Sequence, residues 1–346
     1  MNFSASRFVV LAAAASLCPS ALAAELCPPE STTPWSVSAP AFSKADAREN
    51  ISGFVCAPDA PDYCLVVADE GREAAFVSLH EGGLAAIGAP FALPVASHEF
   101  DAEGATTDGK FLYIAGSQSV KRRTCEDHPA NRVVLRFDVD PARRPPVTIK
   151  STGELWKIIE SLPEFAGHAG PNACLGDNSP QRRPDLPGKQ GVNIEGVAAK
   201  DGRLYFGFRG PAIDGEALLL GVDAKALFEG GVAAPSVARI KVGKKRAIRD
   251  LTIADGALLA LVGPDDDNLP LNYSVFRIES PYQGSARAAE LAALDLDKAP
   301  RDEKGEPIKP EAIALLDATP ERYRLLVLSD GGEDGAPLVF NIPRRP

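Results

Sequence analysis

A short pattern recurs along this chain and limits what it can fold into. An acidic residue, often followed by Gly, opens a strand of small apolar residues; a turn and a second apolar strand ending in Gly follow. The clearest copies are DAEGATTDGKFLYIAGS from Asp101 and NIEGVAAKDGRLYFGFRGP from Asn193. IRDLTIADGALLALVGP from Ile248 and KPEAIALLDATPERYRLLVLSDGG from Lys309 repeat it. A degenerate copy, NISGFVCAPDAPDYCLVVADEG from Asn50, carries Ser52 at the acidic position. The markers Ser52, Glu103, Glu195, Asp250 and Glu311 are separated by 51, 92, 55 and 61 residues. The longest gap holds an insertion, at about 118–190, rich in Pro, Asn and charge.

Each copy continues with further short strands. AAFVSL, RVVLRFDV, ALLLGVDA, YSVFRIES and PLVFNIP come third, and FALPV, VTIKST, SVARIKV and AAELAALDL are outer candidates. Four short strands in roughly 50 residues is the signature of a β-propeller blade. Asp108-Gly109, Asp201-Gly202 and Asp255-Gly256 provide the positive φ that tight hairpins need. The expected fold is all-β: a propeller of five four-stranded blades, or six or seven if the insertion hides a further blade. A β-sandwich or two smaller β domains is the other reading of the pattern. The last copy lacks an outer strand, so Trp35 to Phe42 is expected to close the ring by joining it. One helix is expected at Glu154 to Leu162, where Leu155, Ile158, Ile159 and Leu162 repeat at helical spacing.

The first residues set the compartment. Arg7, the apolar run Phe8 to Leu17, Pro19 and Ala21-Leu22-Ala23 form a secretory signal, too short to span a bilayer. Cleavage is expected after Ala23 or Ala24, giving residues 1–24 as signal peptide and 25–346 as one propeller domain, periplasmic or secreted. The rival is a lipoprotein anchored at Cys18, against which Leu17 stands where a small residue is expected. Five cysteines remain, and disulfides persist in such compartments. Cys56 and Cys64 flank a turn-rich APDAPDY, and Cys125 and Cys174 lie in two polar loops. Pairing them so leaves Cys27 over. With the signal removed, 36 basic side chains face 47 acidic ones. That balance disfavours nucleic acid, whose phosphates need a positive field. No later stretch is long and apolar enough for a membrane span, and the chain is expected to be a monomer.

Topology then limits the chemistry. In a propeller the innermost strand of each blade lines the channel, and the start of that strand shares a face with the loop after the second strand. Glu103, Glu195, Asp250 and Glu311 should therefore meet at one mouth. Converging carboxylates take up protons or a cation. Hard oxygen ligands suit Ca²⁺ best among divalent cations, with Mg²⁺ or Mn²⁺ after it, and Asn193 could add a carbonyl oxygen. Asp265-Asp266-Asp267-Asn268 offers a second loop-borne calcium site, without the Gly and Glu of an EF-hand. The alternative is structural: acids at strand starts cap loops through backbone N–H groups. Arg209 and Arg249, beside the repeat core, could hold an anionic substrate. Lys244, Lys245, Arg246 and Lys121-Arg122-Arg123 would rim the mouth, or be a solvated face. His98 is the one histidine that the sequence places near it. No G-x-S-x-G, P-loop or H-E-x-x-H occurs, and scattered His with no C-x-x-C disfavour zinc.

These same repeats resemble the bacterial secreted β-propeller family classed as domain of unknown function 3616. The resemblance runs from about Ile51 to the C-terminus, and NIEG…GFRGP is its most specific part. It implies the propeller and no established activity. More distantly, the Glu-Gly repeats are similar to those of secreted phytase-like and lactonase-like propellers, which bind calcium or another divalent ion at the channel mouth. Ser52 departs from the pattern and leaves the acidic ring incomplete.

Two functions are consistent with this reading. One is a metal-dependent hydrolase of phosphoesters, esters or lactones acting on a small anionic substrate, with Glu103, Glu195, Asp250 and Glu311 as ligands. The other is a non-catalytic propeller that binds a cell-envelope component and holds a structural calcium ion. A redox propeller with quinone or haem is disfavoured, because no C-x-x-C-H and no adjacent cysteine pair occurs. Expressed with its leader in a bacterium, the protein should yield a mature N-terminus at Ala24 or Glu25, read by intact mass. Retention of Met1 through Ala23 would contradict the export signal.

Overall fold

A computed structural model describes residues 25–346 apart from 59, 98, 123, 143, 172, 175–190, 267–268, 283–285 and 345–346. The expected signal peptide lies outside the described residues. Five antiparallel sheets stand in chain order, a five-bladed propeller. From inside outward, blade 1 is Ile51–Ala57, Ala60–Ala68, Glu73–His80 and Gly83–Ala86. Blade 2 is Ala102–Thr107, Phe111–Gly116, Val134–Asp138 and Lys150–Thr152. Blade 3 is Asn193–Lys200, Arg203–Ile213, Glu216–Asp223 and Ser236–Lys241. Blade 4 is Arg246–Ala254, Ala257–Pro264, Ser274–Glu279 and Arg287–Leu294. Blade 5 has Lys309–Ala318, Arg322–Asp330 and Leu338–Pro343. Each inner strand packs on the next, and the fifth packs on the first, so the ring is closed.

Closure uses the N-terminal segment in a different register from the expected one. Trp35 to Phe42 adds no strand to the last blade, although the Trp35 amide donates to the Pro337 carbonyl there at 2.8 Å: Ser36–Ala39 adds to the outer edge of blade 1, parallel to Gly83–Ala86. Glu25–Cys27 adds to blade 4, parallel to Arg287–Leu294. Between them Pro29 bridges Phe340 of blade 5, and the Glu30 amide donates to the Val339 carbonyl at 2.7 Å. One strap thus laces three blades and covers outer edges that would otherwise template association. Arg324 pins it, bonding Glu30 of the strap and Glu81 of blade 1. In blade 1 the expected outer strand FALPV contributes only Phe91–Ala92, which pairs beside Glu73 and Ala74.

Local chemistry explains the hairpins. Asp201 and Gly202 (φ 51° and 73°) and Asp255 and Gly256 (47° and 70°) take the left-handed pair of a tight hairpin. Asp108 instead accepts the amides of Lys110 and Phe111 through its carboxylate. The insertion helix spans Glu154–Ser161 and buries Leu155, Trp156 and Ile159 against blades 2 and 3. Cys56 and Cys64 face each other across the first two strands of blade 1 and form a disulfide; Cys125 and Cys174 form a second. Among the described residues no helix is long and apolar enough to cross a membrane.

The inner strands share one irregularity. The pairing register slips at Ser52 in blade 1, Glu195 in blade 3, Arg249 in blade 4 and Glu311 in blade 5. In blade 2 it slips between Ala102 and Ala105, around Glu103. A bulged residue leaves the ladder and re-aims its side chain. The residue after the bulge meets the neighbouring blade. A Cβ on Gly53 would stand 2.8 Å from the Ala105 nitrogen, one on Gly104 3.1 Å from the Val197 nitrogen, and one on Gly196 2.7 Å from the Asp250 Cα. The Gly of the Glu-Gly pattern is therefore what lets adjacent inner strands touch. Gly196→Ala should cost about 1–3 kcal/mol of unfolding free energy by overpacking, measured by urea denaturation. Gly153→Ala, where the new Cβ meets only a carbonyl at 3.5 Å, should not overpack and should cost no more than the loss of a glycine N-cap on the insertion helix, about 1 kcal/mol or less.

Candidate cation centre at the channel mouth

The bulges carry Ser52, Glu103, Glu195, Arg249 and Glu311 around the channel. Carboxylate oxygens of Glu103, Glu195 and Glu311 lie within 4.8 Å of one another, and all three residues are buried. Asp250 is not in this group, contrary to the expectation from spacing. It occupies the position that is Gly in blades 1 to 3, one residue past the bulge. Its Oδ2 accepts the Ile313 amide of blade 5 at 2.7 Å. The sequence pattern places an acid at this copy, but the register puts Arg249 in the ring.

Arg249 and Arg209 are partners of the acids. Glu195 is held from both sides: its Oε1 lies 2.9 Å from Arg209 Nη1, and its Oε2 lies 2.9 Å from Arg249 Nε. Arg249 also pairs through Nη2 with Glu311 Oε1. Arg249 is 1% exposed and does not line the cavity; Arg209 does. Ser52 donates its hydroxyl to the Ala102 carbonyl, tying blade 1 to blade 2. Glu103 has no lysine or arginine partner among the described residues. Its neighbour Asp101 accepts from Asn131 Nδ2 at 3.0 Å and from Ser119 Oγ at 3.3 Å.

A cavity of about 660 Å³ opens above this floor. Its acids include Asp69, Glu99, Asp101 and Asp330 besides the three ring glutamates. Among the described residues its cations are Lys121, Arg122, Arg209 and Lys309, and Val120 is the only apolar side chain lining it. Lys121 pairs with Glu126 at 3.2 Å and Lys309 with Asp330 at 3.4 Å. Asn193 also lines the cavity. It is 6% exposed, and its Oδ1 has no hydrogen-bond partner among the described residues. A buried amide oxygen left without a donor costs on the order of 1–3 kcal/mol, which a cation would relieve.

Burial dominates the proton equilibria here. It pushes the Glu103 carboxyl well above the usual range, with the charges of Asp101 and Glu195 adding to the shift. Burial raises Glu311 well above its ordinary value too, although Arg249 opposes this. Asp101 is raised by burial against its hydrogen bonds. Asp69 is raised well above by burial and then by Asp101. Asp250 is likewise held well up by burial.

The other sequence candidates separate. Lys244 and Lys245 are exposed and stand outside the cavity, and Arg246 bonds Ser274 and Glu290 along blade 4. Asp265 and Asp266 are buried, and the Asp265 carbonyl accepts from Arg209 at 3.4 Å. Asp267, Asn268, Arg123 and His98 lie outside the described residues. His128, which the sequence gave no reason to single out, lines the cavity on the loop anchored by Cys125. Only knowledge of where that loop folds back could have found it.

A family model described as Protein of unknown function (DUF3616) matches residues 77–137 and 175–335. No curated protein matches the chain. Among solved structures it is similar to the WD40 β-propeller domain of Doa1, at 10% identity, covering 91% of this chain and 97% of that one, with a TM-score of 0.31. BamB from Moraxella catarrhalis is 13% identical, with 82% and 70% covered and a TM-score of 0.30. A luciferin-regenerating enzyme is 9% identical, with 88% and 94% covered and a TM-score of 0.36. At these scores the likenesses say nothing of function, and the propeller stands on the sheet topology of the chain itself.

The raised carboxyls have a signed consequence. Above the ordinary carboxylate range the native state binds more protons than the unfolded chain, so stability falls as pH rises through the raised values. In chelator, the melting temperature should drop as pH rises above the ordinary carboxylate range, and saturating Ca²⁺ should flatten that slope. A melting temperature that climbs over that rise in chelator would contradict the protonated ring.

Proposed function

The chain belongs to the DUF3616 family of proteins of unknown function, and from that premise we propose that it is an exported propeller that binds a divalent cation, Ca²⁺ foremost, at the channel mouth and hydrolyses a phosphoester, ester or lactone there. One observation carries the reading: three buried glutamates bring oxygens within 4.8 Å of one another in a cavity also lined by Asn193, whose Oδ1 has no hydrogen-bond partner among the described residues. Two oxygens on opposite sides of one ion are separated by twice the metal–oxygen distance. That is about 4.6–5.2 Å for Ca²⁺ and about 4.0–4.2 Å for Mg²⁺. A span of up to 4.8 Å admits the larger ion. Glu103, Glu195, Glu311 and Asn193 supply four oxygens, fewer than the six to eight that Ca²⁺ takes, which leaves room for substrate. Asp250 is not among the proposed ligands.

A divalent ion held there supplies charge that polarises a phosphoryl or carbonyl oxygen. The side chains of the protein do the rest. In the empty ring Glu103 is held toward its neutral form by burial, and it gives up that proton when its carboxylate takes the ion. Arg209 lines the cavity, pairs with Glu195 of the ring, and is a fixed positive charge that can orient an anionic group. Arg249 lies too deep for that role. Two disulfides support a periplasmic or extracellular setting.

A second reading is a non-catalytic propeller that holds a structural Ca²⁺ and binds an envelope component. It is favoured by the pairing of Arg209, Lys121 and Lys309, each already engaged by an acid. Elemental analysis of natively purified protein should find a divalent metal. Glu103→Gln, which orphans no arginine, should weaken its binding at least about tenfold with the fold intact by circular dichroism. Chelator-sensitive turnover of model esters, phosphoesters or lactones supports the hydrolase. Metal-dependent melting without turnover across that panel supports the second reading, and protein with no metal affinity defeats both.

A further inference from the structure

The five ring positions are not equivalent. Blades 2, 3 and 5 present Glu, blade 1 presents Ser52, and blade 4 presents Arg249. The guanidinium of Arg249 bridges Glu195 Oε2 and Glu311 Oε1. Those are two of the carboxylates that would hold the cation proposed above. We propose that Arg249 is a resident cation which determines how much further positive charge the ring accepts, competing with a bound divalent ion for Glu195 and Glu311 and standing in for it when the ring is empty.

The argument is electrostatic and rests on the cation reading of the site. Three buried carboxylates repel one another, and their charge must be met by protons, by fixed cations or by a bound ion. Arg249, buried at 1% exposure, supplies one fixed charge at the ring itself. Arg209 supplies a second behind Glu195. Glu103 has none among the described residues. A divalent ion therefore meets one unopposed carboxylate and two whose oxygens are already engaged, and calcium affinity follows the charge that its ligands present. With Arg249 replaced by a neutral group, Glu195 and Glu311 would present their full charge. The empty ring would then be less stable, because removing one partner of a buried pair leaves the other uncompensated. The same change would make it a stronger calcium site. A purely structural Arg249 would give only the first effect.

The test is Arg249→Gln, compared with wild type by calorimetric titration with Ca²⁺ and by melting in EGTA and in saturating Ca²⁺. The variant should melt below wild type in EGTA, bind Ca²⁺ about tenfold tighter or more, and gain more melting temperature from Ca²⁺ than wild type does. Arg249→Lys, which keeps the charge and loses the fork, should fall between the two. Wild-type binding of Ca²⁺ with equal or weaker binding by Arg249→Gln would overturn the competition while leaving the cation site standing. Binding by the variant alone would remove the ion from the natural protein and keep Arg249 as its stand-in. A variant that stays unfolded in saturating Ca²⁺ would overturn the inference, since the ion is expected to take over the neutralising role of the arginine. Absence of binding by either protein would end both readings.

Discussion

The close contact between neighbouring inner strands is the constraint on which the mouth depends. Gly53, Gly104 and Gly196 let the backbones of blades 1 to 4 approach to a distance that a Cβ would block. At blade 4 the position carries Asp250, whose carboxylate reaches the Ile313 amide instead of leaving bare backbone contact. The residue before each of these positions is forced out of the ladder by the bulge. Five side chains are thereby delivered to one narrow ring by backbone geometry alone, whatever their chemistry. The pattern Glu-Gly is thus two requirements at once: a glycine that the packing demands, and an acid that the packing permits.

That permission is costly to use. The ring and its surroundings are buried, so each charge there must find compensation or a proton. The structure divides the mouth accordingly. On the side of blades 3, 4 and 5, Glu195 and Glu311 are met by Arg209 and Arg249. On the side of blades 1 and 2, Glu103, Asp101 and Asp69 have no such partners among the described residues and are held toward their neutral forms by burial. One half is set by ion pairs, and the other has capacity for a proton or a metal ion. On that second half a change of protonation state breaks no buried ion pair among the described residues.

The blade count, the second and third strands, the helix at Glu154 and both disulfides were legible in the sequence, because each rests on local signals: Asp-Gly turns, apolar runs and helical spacing. Glu103, Glu195 and Glu311 were legible for the same reason, since the repeat fixes their place on the inner strands. Asp250 misled because Arg249 and Asp250 are adjacent, and a one-residue shift exchanges ring for blade contact. Composition favours the acid in that alignment; only the bulge at Arg249 decides it. The outer strands of blades 2, 3 and 4 lie at VTIKST, SVARIKV and AAELAALDL as expected, and that of blade 1 was least legible. Gly83–Ala86 has no strong strand signal of its own, and the strap Glu25 to Ala39 finds its partners on three blades far away in sequence. The role of His128 was hidden for a related reason, as it depends on how a long loop folds back over the channel.

The cavity is built by two parts of the chain under different constraints. Its floor comes from inner strands, where packing on both sides fixes each residue. Its rim comes from the loop after Gly116, which carries Ser119, Val120, Lys121, Arg122, Thr124 and His128 over the mouth. This loop has little core of its own: Val120, Cys125 and Cys174 form a separate small apolar cluster. The Cys125–Cys174 disulfide supplies the anchor that packing does not. Loops held on a rigid scaffold are where specificity resides. The ring thus determines the charge chemistry available at the mouth, and the cross-linked loop above it determines which molecules can reach that chemistry.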